Sequence, residues 1–201
     1  MKLYYVPQTR SSRPRWLLEE LGVPYDIVRL DIAARDNRKA EYLALNPLGH
    51  VPTLVDGEVV IYESLAICLY LADRFPDKML APPPGAPERG AYLQWTVFAV
   101  ATIERTIEQL YDHTARLEEA DRQPRLAVAA RTRFAEVAAV VDAALGERDV
   151  LVGDRFSGAD VLMASVLGWG RLFGLLGDHP RLEAYARRCF GRPAAKRARQ
   201  D

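Results

Sequence analysis

The sequence has few residues of the kinds that build metal centres and disulfide frameworks. It contains two cysteines and three histidines among 201 residues. The cysteines, Cys68 and Cys189, form neither a CxxC pair nor a zinc-ligand spacing, so the sequence indicates no metal site and no dithiol redox centre. Cys68 falls on the apolar side of a predicted helix, where a cysteine packs as a small core residue. A reducing, cytoplasmic setting is therefore expected.

An excess of one charge and long apolar runs are also missing. Lys+Arg and Asp+Glu number 27 each, so the formal net charge is zero, and nothing favours nucleic acid or a membrane surface as a partner. No apolar run approaches the roughly 20 residues that span a bilayer, and the first residues do not resemble a signal peptide. With 49% hydrophobic residues, the chain is expected to fold as one large or two small domains.

Proline marks the expected domain boundary. Residues 76–87 hold a cluster of prolines and one glycine, a composition typical of an extended linker, and strand patterns stop after it. The sequence therefore predicts a first domain at residues 1–76, a linker at 77–87 and an all-helical domain at 88–201.

The first domain has the predicted order β-α-β-α-β-β-α. The opening strand-helix-strand favours a parallel crossover, and the closing hairpin adds antiparallel strands. An α/β fold with a mixed sheet is therefore expected. In the second domain the pattern predicts long helices at residues 88–116 and 124–145, then a buried helix opened by a capping box at Ser157 and Asp160. A helix at residues 180–188 and a solvated, frayed basic tail at 192–199 complete the prediction.

One stretch carries most of the functional information. Residues 46–54 read NPLGHVPTL, the turn signal Asp56-Gly57 follows, and Tyr62-Glu63-Ser64 leads into a helix. A proline at a strand start leaves the preceding peptide group outside the ladder, and a helix N-terminus attracts carboxylates. The pattern therefore predicts a small binding surface for an extended, anionic peptide.

This run resembles the glutathione-binding element of cytosolic glutathione S-transferases. Those proteins carry N-P-x-G-x-V-P-x-L, a hairpin and an E-S pair that opens the next helix, and all of these positions are filled here. The resemblance extends more loosely over nearly the whole chain. It implies a thioredoxin-like first domain, an all-helical second domain, a homodimer, glutathione as cosubstrate and no tightly bound cofactor.

The resemblance also implies roles for individual residues. Val51 would pair its backbone with the cysteinyl part of glutathione, and Pro52 would be cis. Ser64 would bind the γ-glutamyl carboxylate, and Glu63 would help to hold the ammonium group; without the motif they would read as a plain N-cap and a first-turn acid. His50 would reach the glycyl carboxylate, or would simply be an exposed loop histidine.

The family's reaction is attack of the glutathione thiolate on an electrophile, which requires a donor that stabilises the thiolate. The loop at residues 8–13 lies in the right place. Cysteine-type members have cysteine at the position of Arg10, so a mixed disulfide is not expected there. Serine-type members place a hydroxyl a few residues before a helix arginine; if that arginine is Arg13, the hydroxyl belongs to Thr9. Ser11 is the alternative, although it also reads as a helix cap, and Arg10 or backbone N–H groups are further donors.

The second substrate has no motif of its own. We expect it against the long helix from residue 88, where Phe98, Thr102 and Arg105 share one side at helical spacing, although interhelical core is the alternative for the apolar positions. The predicted activity is conjugation of glutathione to a small, hydrophobic electrophile. A glutathione-dependent isomerase or peroxidase of the same fold, and a non-catalytic glutathione-binding or partner-interaction protein, are the alternatives.

Overall fold

The computed structural model describes residues 1–200, and the chain divides into two units. Met1–Pro83 forms the first unit together with the chain from Gly191 onward, and Pro84–Phe190 forms the second. The chain passes from the first unit to the second within the proline-rich run predicted as a linker.

The first unit contains a four-stranded mixed sheet, as predicted. Its strands lie in the order β2-β1-β3-β4. β1 is parallel to β2 and antiparallel to β3, and β3 is antiparallel to β4. The strands are β1 (Lys2–Tyr5), β2 (Asp26–Arg29), β3 (Thr53–Asp56) and β4 (Val59–Tyr62).

Three α-helices of Met1–Pro83 accompany this sheet: α1 (Ser12–Leu21), α2 (Ala40–Leu43) and α3 (Ser64–Arg74). α1 and α3 pack against each other because each carries an apolar stripe. Gly22 ends α1 in the left-handed region at φ +64°, and its N–H bonds to the Leu18 carbonyl, the C-cap that the sequence predicted. The core is built from buried side chains on β1, α1, β3 and α3: Leu3, Tyr5, Leu17, Leu18, Leu21, Leu54, Ile67 and Leu71.

The second unit is helical, as predicted. Its helices are α4 (Arg89–Val97), α5 (Glu104–Tyr111), α6 (Pro124–Leu145), α7 (Gly158–Leu172) and α8 (Pro180–Gly191). The helix expected at residues 88–116 is one continuous helical stretch, but it includes two π-helical segments, Phe98–Ile103 and Asp112–Arg116. These segments have wider turns than an α-helix.

The capping box at the start of α7 is confirmed. The Ser157 hydroxyl accepts from the Ala159 N–H at 3.3 Å, and Asp160 accepts from the Ser157 N–H at 2.9 Å. The fully buried Asp160 carboxylate also accepts from the Leu151 N–H and the Tyr185 hydroxyl, each at 2.8 Å. Burial raises the pKa of Asp160, and the donated hydrogen bonds oppose that rise. The carboxylate therefore joins three segments of the second unit.

The prediction of a frayed C-terminal tail is wrong. Residues Pro193–Arg197 form α9, which packs on α1. Arg192 makes a bidentate ion pair with Glu20 at 2.7 and 2.8 Å, and Arg197 pairs with Glu19 at 2.6 Å. Burial raises the pKa of Glu19, but hydrogen bonds from Tyr25 and Arg197 outweigh it and lower the pKa overall. The basic residues of the tail thus have acidic partners on α1 instead of solvent.

Candidate functional site

The register of the sheet places three loops of the first unit at the same end. Tyr4 pairs with Thr53 at the end of β1 and the start of β3, and Thr53 pairs in turn with Tyr62 at the end of β4. The loop after β1, the residues before β3 and the start of α3 therefore emerge side by side. These are the segments that contain every residue expected to bind glutathione or activate its thiol.

Two polar side chains fix the backbone of the loop before β3. The Tyr42 hydroxyl and the Asn46 amide both donate to the His50 carbonyl, the latter at 2.8 Å. The Val51–Pro52 peptide bond is cis, as expected. The β1–β3 register ends at Tyr4–Thr53, and none of the hydrogen bonds among residues 1–200 uses the backbone of Val51. That backbone is therefore open to pair with an extended ligand.

Gly49 closes the turn that leads to this backbone. It adopts φ +63°, and a Cβ added there would lie 2.6 Å from the Asn37 carbonyl oxygen. The Asn37 amide donates to the Gly49 carbonyl at 2.7 Å. The glycine is required both by its left-handed backbone and by this close approach. His50 follows it with an exposed side chain.

The start of α3 forms the second part of the site. Glu63 adopts φ 75° and ψ 115°, a conformation that is strained for a residue with a Cβ and that occurs more often at functional sites. Ser64, the first helical residue, is buried, and Arg13 donates to its hydroxyl at 3.4 Å. In the described chain the N–H groups of Ser64 and Leu65 donate no hydrogen bond. The helix end therefore offers free donors and a buried cation nearby, an arrangement suited to a carboxylate.

The loop after β1 forms the third part, and it separates the two hydroxyl candidates. Ser11 is fully buried. Its hydroxyl accepts from the Val6 N–H at 3.1 Å and donates to the Val6 carbonyl at 2.8 Å. Ser11 occupies the N-cap position of α1, as the cap interpretation expected, but its side chain makes no cap hydrogen bond to the helix. Its side chain instead fixes the loop to the end of β1.

Thr9 is exposed, and its hydroxyl has a choice of acceptors. The Thr9 oxygen lies 2.8 Å from the Val6 carbonyl and 2.7 Å from the Ser11 oxygen, and it accepts from the Ser11 N–H at 3.2 Å. Because the Ser11 hydroxyl can satisfy the Val6 carbonyl alone, the Thr9 proton can turn to a ligand without leaving a buried acceptor unpaired. Arg10 is exposed beside it.

Neither cysteine is placed for chemistry. Neither is in a disulfide, and both are buried. Burial raises the pKa of the Cys68 thiol to about 12, although Arg13 acts in the opposite direction. Reactive cysteines have lowered pKa values and partial exposure, so Cys68 is a core residue, as predicted. Among residues 1–200 no group of three His, Cys, Asp or Glu side chains is arranged to hold a metal ion.

The second unit contains the residues expected to contact the second substrate. Phe98 and Thr102 lie in the first π-helical segment, where the α-helical spacing used to group them does not apply. Both are half-buried, and Phe98 packs edge-on against Trp95. Arg105 is exposed on α5 and lines a pocket that Phe98 and Thr102 do not line.

The other residues of this pocket were missed by the sequence reasoning. Their spacing of three and four residues was visible, but charged residues at that spacing are also typical of a solvated helix face. The pocket has a volume of about 470 Å³ and is lined by Arg105, Glu108, Gln109, Asp112, His113 and Arg116.

In residues 1–200 no helix is both long and apolar enough to cross a membrane.

Family models match both units of the chain. Residues 1–73 match the glutathione S-transferase N-terminal domain, and residues 99–193 match the glutathione S-transferase C-terminal domain. Among curated proteins, the chain is 32% identical over 189 residues to glutathione S-transferase GST-4.5 of Xanthomonas campestris, covering 94% of this chain and 92% of the relative. It is 27% identical over 201 residues to glutathione S-transferase GstA of Escherichia coli O157:H7, covering 98% and 96% of the two chains.

Solved structures match over the same length. A ternary complex of BphK, a bacterial glutathione S-transferase, has a TM-score of 0.86 at 32% identity, covering 99% of this chain and 98% of that one. A sphingomonad glutathione S-transferase complexed with glutathione has a TM-score of 0.85 at 31% identity, covering 99% and 97%.

Proposed function

Because this chain belongs to the glutathione S-transferase family, we propose that its first unit binds glutathione and that the bound thiolate attacks a small electrophile. The observation that carries the proposal is the meeting of three loops at one end of the sheet. They combine the unpaired backbone of Val51 with the open N-terminus of α3. Glutathione is an extended, anionic peptide. The backbone of Val51 suits its peptide groups, and the N-terminus of α3 suits its carboxylate.

Each end of glutathione has a suitable partner in this proposal. The backbone of Val51 pairs with the cysteinyl part, and the hydroxyl and N–H of Ser64 bind the γ-glutamyl carboxylate. Arg13 supplies positive charge behind Ser64. Glu63 holds the ammonium group, and its strained backbone supports a functional role for this position. His50, exposed beside Val51, reaches toward the glycyl carboxylate.

The thiolate is stabilised by the Thr9 hydroxyl in this proposal. A free thiol with a pKa near ~8.5 is only slightly ionised at pH 7, and one donated hydrogen bond favours its anion. Thr9 is favoured over Ser11 because its hydroxyl is exposed and can be redirected, whereas Ser11 is buried and bonded to both polar groups of Val6. Arg10 and the N-terminus of α1 add positive potential.

The reaction forms a bond between the glutathione sulfur and an electrophilic carbon, and the leaving group departs with the electron pair. We place the enzyme in the cytoplasm, since both cysteines are buried thiols outside any disulfide. Their burial, together with arginine at position 10, also argues against a peroxidase that works through a protein thiol. Phe98, Thr102 and Arg105 are proposed to contact the second substrate.

Two measurements test this function. Calorimetry should show one glutathione site per chain, and glutathione with 1-chloro-2,4-dinitrobenzene should give the coloured conjugate. S-methylglutathione is the matched control ligand: it should bind in the same site but yield no conjugate, because its sulfur is already alkylated. Absence of glutathione binding would refute the function, and binding without conjugation of any electrophile would favour the non-catalytic alternative.

A further inference from the structure

Arg15, on α1, is a buried arginine that takes part in none of the proposed glutathione contacts. The residue is 7% exposed. Its guanidinium lies over the ring of Tyr5, the last residue of β1, at 4.7 Å from the ring centroid. A cation–π contact is stronger when it is shielded from water. The side chain of Arg15 therefore fastens α1 to the end of β1.

This contact closes a ring of residues beside the loop after β1. Val6 follows Tyr5 directly, and both polar groups of its backbone bond to the Ser11 hydroxyl. The Ser11 carbonyl accepts from the Arg15 N–H at 3.4 Å, and the Arg15 side chain returns to Tyr5. Thr9, the proposed donor to the thiolate, bonds to Ser11 and to the Val6 carbonyl. The orientation of Thr9 therefore depends on a ring that Arg15 completes.

The end of the chain holds the guanidinium of Arg15 in place. Its Nη2 donates to the Gln200 carbonyl at 2.6 Å, across 185 positions of sequence. A buried cation needs acceptors that replace its lost water. α9, which precedes Gln200, is itself fixed on α1 by the ion pairs of Arg192 and Arg197. All of these residues belong to the first unit.

A second route connects Arg15 to α9 through Tyr25. The Arg15 guanidinium hydrogen-bonds to the Tyr25 oxygen, and the Tyr25 hydroxyl donates to Glu19 at 2.7 Å. The other carboxylate oxygen of Glu19 accepts from Arg197 at 2.6 Å. Burial and the contact with Glu19 raise the pKa of Tyr25, so its hydroxyl stays protonated as the donor. Arg15 thus lies where the contacts of α9 meet those of the loop after β1.

We propose that Arg15 is a positioning residue for thiolate formation, and that the Gln200 carbonyl holds it in the arrangement that thiolate formation requires. Arg15 acts through Tyr5 and Ser11 on the Thr9 hydroxyl, and it keeps the N-terminus of α1 in place beside the thiolate. The inference rests on the proposed function, because it concerns the thiolate of bound glutathione. The ionisation of glutathione then depends on the last residues of the chain, which themselves do not touch the ligand.

The test measures the pKa of bound glutathione in two variants that remove the contact from either side. Arg15→Met removes the guanidinium, and a chain ending at Ala198 keeps the whole of α9 but lacks the Gln200 carbonyl. Each should raise the thiol pKa, read from thiolate absorbance against pH, by about half a unit or more, because the donor no longer points at the sulfur. Turnover with 1-chloro-2,4-dinitrobenzene should fall, while KM for glutathione changes less than about threefold.

Three further variants separate positioning from general stability. Arg15→Lys keeps a cation and should titrate closer to the unmodified enzyme than Arg15→Met does. Arg199→Ala keeps Gln200 and is the matched control for the shortened chain, so it should leave the thiol pKa unchanged. Arg192→Met removes the ion pair to Glu20, in the last turn of α1. It should lower the melting temperature without moving the thiol pKa.

The outcomes distinguish this inference from the proposed function. If the unmodified enzyme ionises bound glutathione and both Arg15→Met and the shortened chain titrate like it, the positioning role is refuted while the transferase function stands. The role is also refuted if Arg192→Met raises the thiol pKa as much as Arg15→Met, since general loosening of α1 would then be the cause. If the unmodified enzyme binds no glutathione, the proposed function fails and this inference fails with it. Should Arg15→Met not fold, the shortened chain decides the question.

Discussion

Arg13 and Ser64 connect the first helix of the chain to the third: the guanidinium Nη1 lies 3.4 Å from the Ser64 hydroxyl oxygen, and both side chains are buried. A buried arginine needs negative charge or hydrogen-bond acceptors near it. The γ-glutamyl carboxylate of glutathione, bound at Ser64, would bring negative charge close to this cation.

The first prediction follows from that contact. Ser64→Ala should weaken glutathione binding by about 1–3 kcal/mol, because the ligand carboxylate loses a hydrogen bond in a desolvated site, and calorimetry measures the change. Thr132→Ala, which removes an exposed hydroxyl on α6, is the control. Unchanged affinity in both Ser64→Ala and Glu63→Ala would contradict the placement of the carboxylate.

A second prediction separates the two hydroxyls of the β1–α1 loop. Thr9→Ala should raise the pKa of bound glutathione and lower turnover about 10- to 1000-fold, as for the loss of one oxyanion donor, with glutathione affinity nearly intact. Thiolate absorbance of the complex against pH is the direct readout. Thr9→Ser keeps the hydroxyl and should titrate close to the unmodified enzyme.

Ser11→Ala provides the complementary experiment. It should lower the free energy of unfolding by about 1–3 kcal/mol, because the Val6 N–H loses its acceptor beneath the loop, while the thiol titration stays near that of the unmodified enzyme. If Ser11→Ala shifts the titration and Thr9→Ala does not, the donor is Ser11. If neither shifts it, Arg10 or backbone N–H groups stabilise the thiolate.

The third prediction concerns Asp160. Asp160→Ala removes a buried acceptor from the Leu151 N–H, the Ser157 N–H and the Tyr185 hydroxyl, so it should destabilise the protein by about 2–4 kcal/mol. For a chain of this size the melting temperature should fall on the order of 10 °C. Asp154→Ala, at an exposed position, should have little effect. Normal melting with lost catalysis would contradict the structural role.

The fourth prediction tests the docking of α9. Arg192→Met should cost about 1–3 kcal/mol of stability, because it leaves the Glu20 carboxylate, which is only 7% exposed, without its cation. Combining it with Glu20→Gln should cost less than the sum of the single changes, since the pair is coupled. Arg187→Met, in an exposed pair with Glu183, is the control and should change little. Additive effects in urea unfolding would mean that the pair contributes nothing.

The fifth prediction is a homodimer. α4 exposes Leu93 and Val97, one helical turn apart, and α6 exposes Val128 and Val140; such apolar positions suit pairing of these helices across a two-fold axis. Light scattering at micromolar concentration should give twice the chain mass of 22.5 kDa, and Val97→Arg should shift the mass toward the monomer. A mass near 22.5 kDa for the unmodified protein would refute the dimer.

Much of the site was predictable because its signals are local. A proline at a strand start, a turn glycine and an acid-serine pair before an apolar helix each restrict the backbone within a few residues. The order of the strands and helices predicts the mixed sheet. The register of that sheet then places the three loops of the site at one end. The role of Ser11 was not predictable, because a serine just before a helix looks like a cap whether its hydroxyl turns forward to the helix or back to Val6.

Long-range pairing explains why the prediction of a solvated, frayed C-terminal tail was wrong. A run of basic residues at a chain end indicates a solvated tail when judged locally, and nothing near Arg192 in the sequence reveals its partner, Glu20, which lies 172 positions earlier. The π-helical turns of the second unit were invisible for a related reason. They depend on packing, and the apolar pattern across Phe98–Ile103 is compatible with an ordinary helix.

The return of the chain to its first unit has a consequence for biosynthesis. The polypeptide leaves that unit at Pro83 and re-enters it at Gly191, so every residue of the second unit is synthesised before α9 exists. During translation the helical unit can complete its fold first, while Glu19 and Glu20 on α1 still lack their arginine partners. Completion of the first unit therefore waits for a segment that is synthesised after the whole of the second unit.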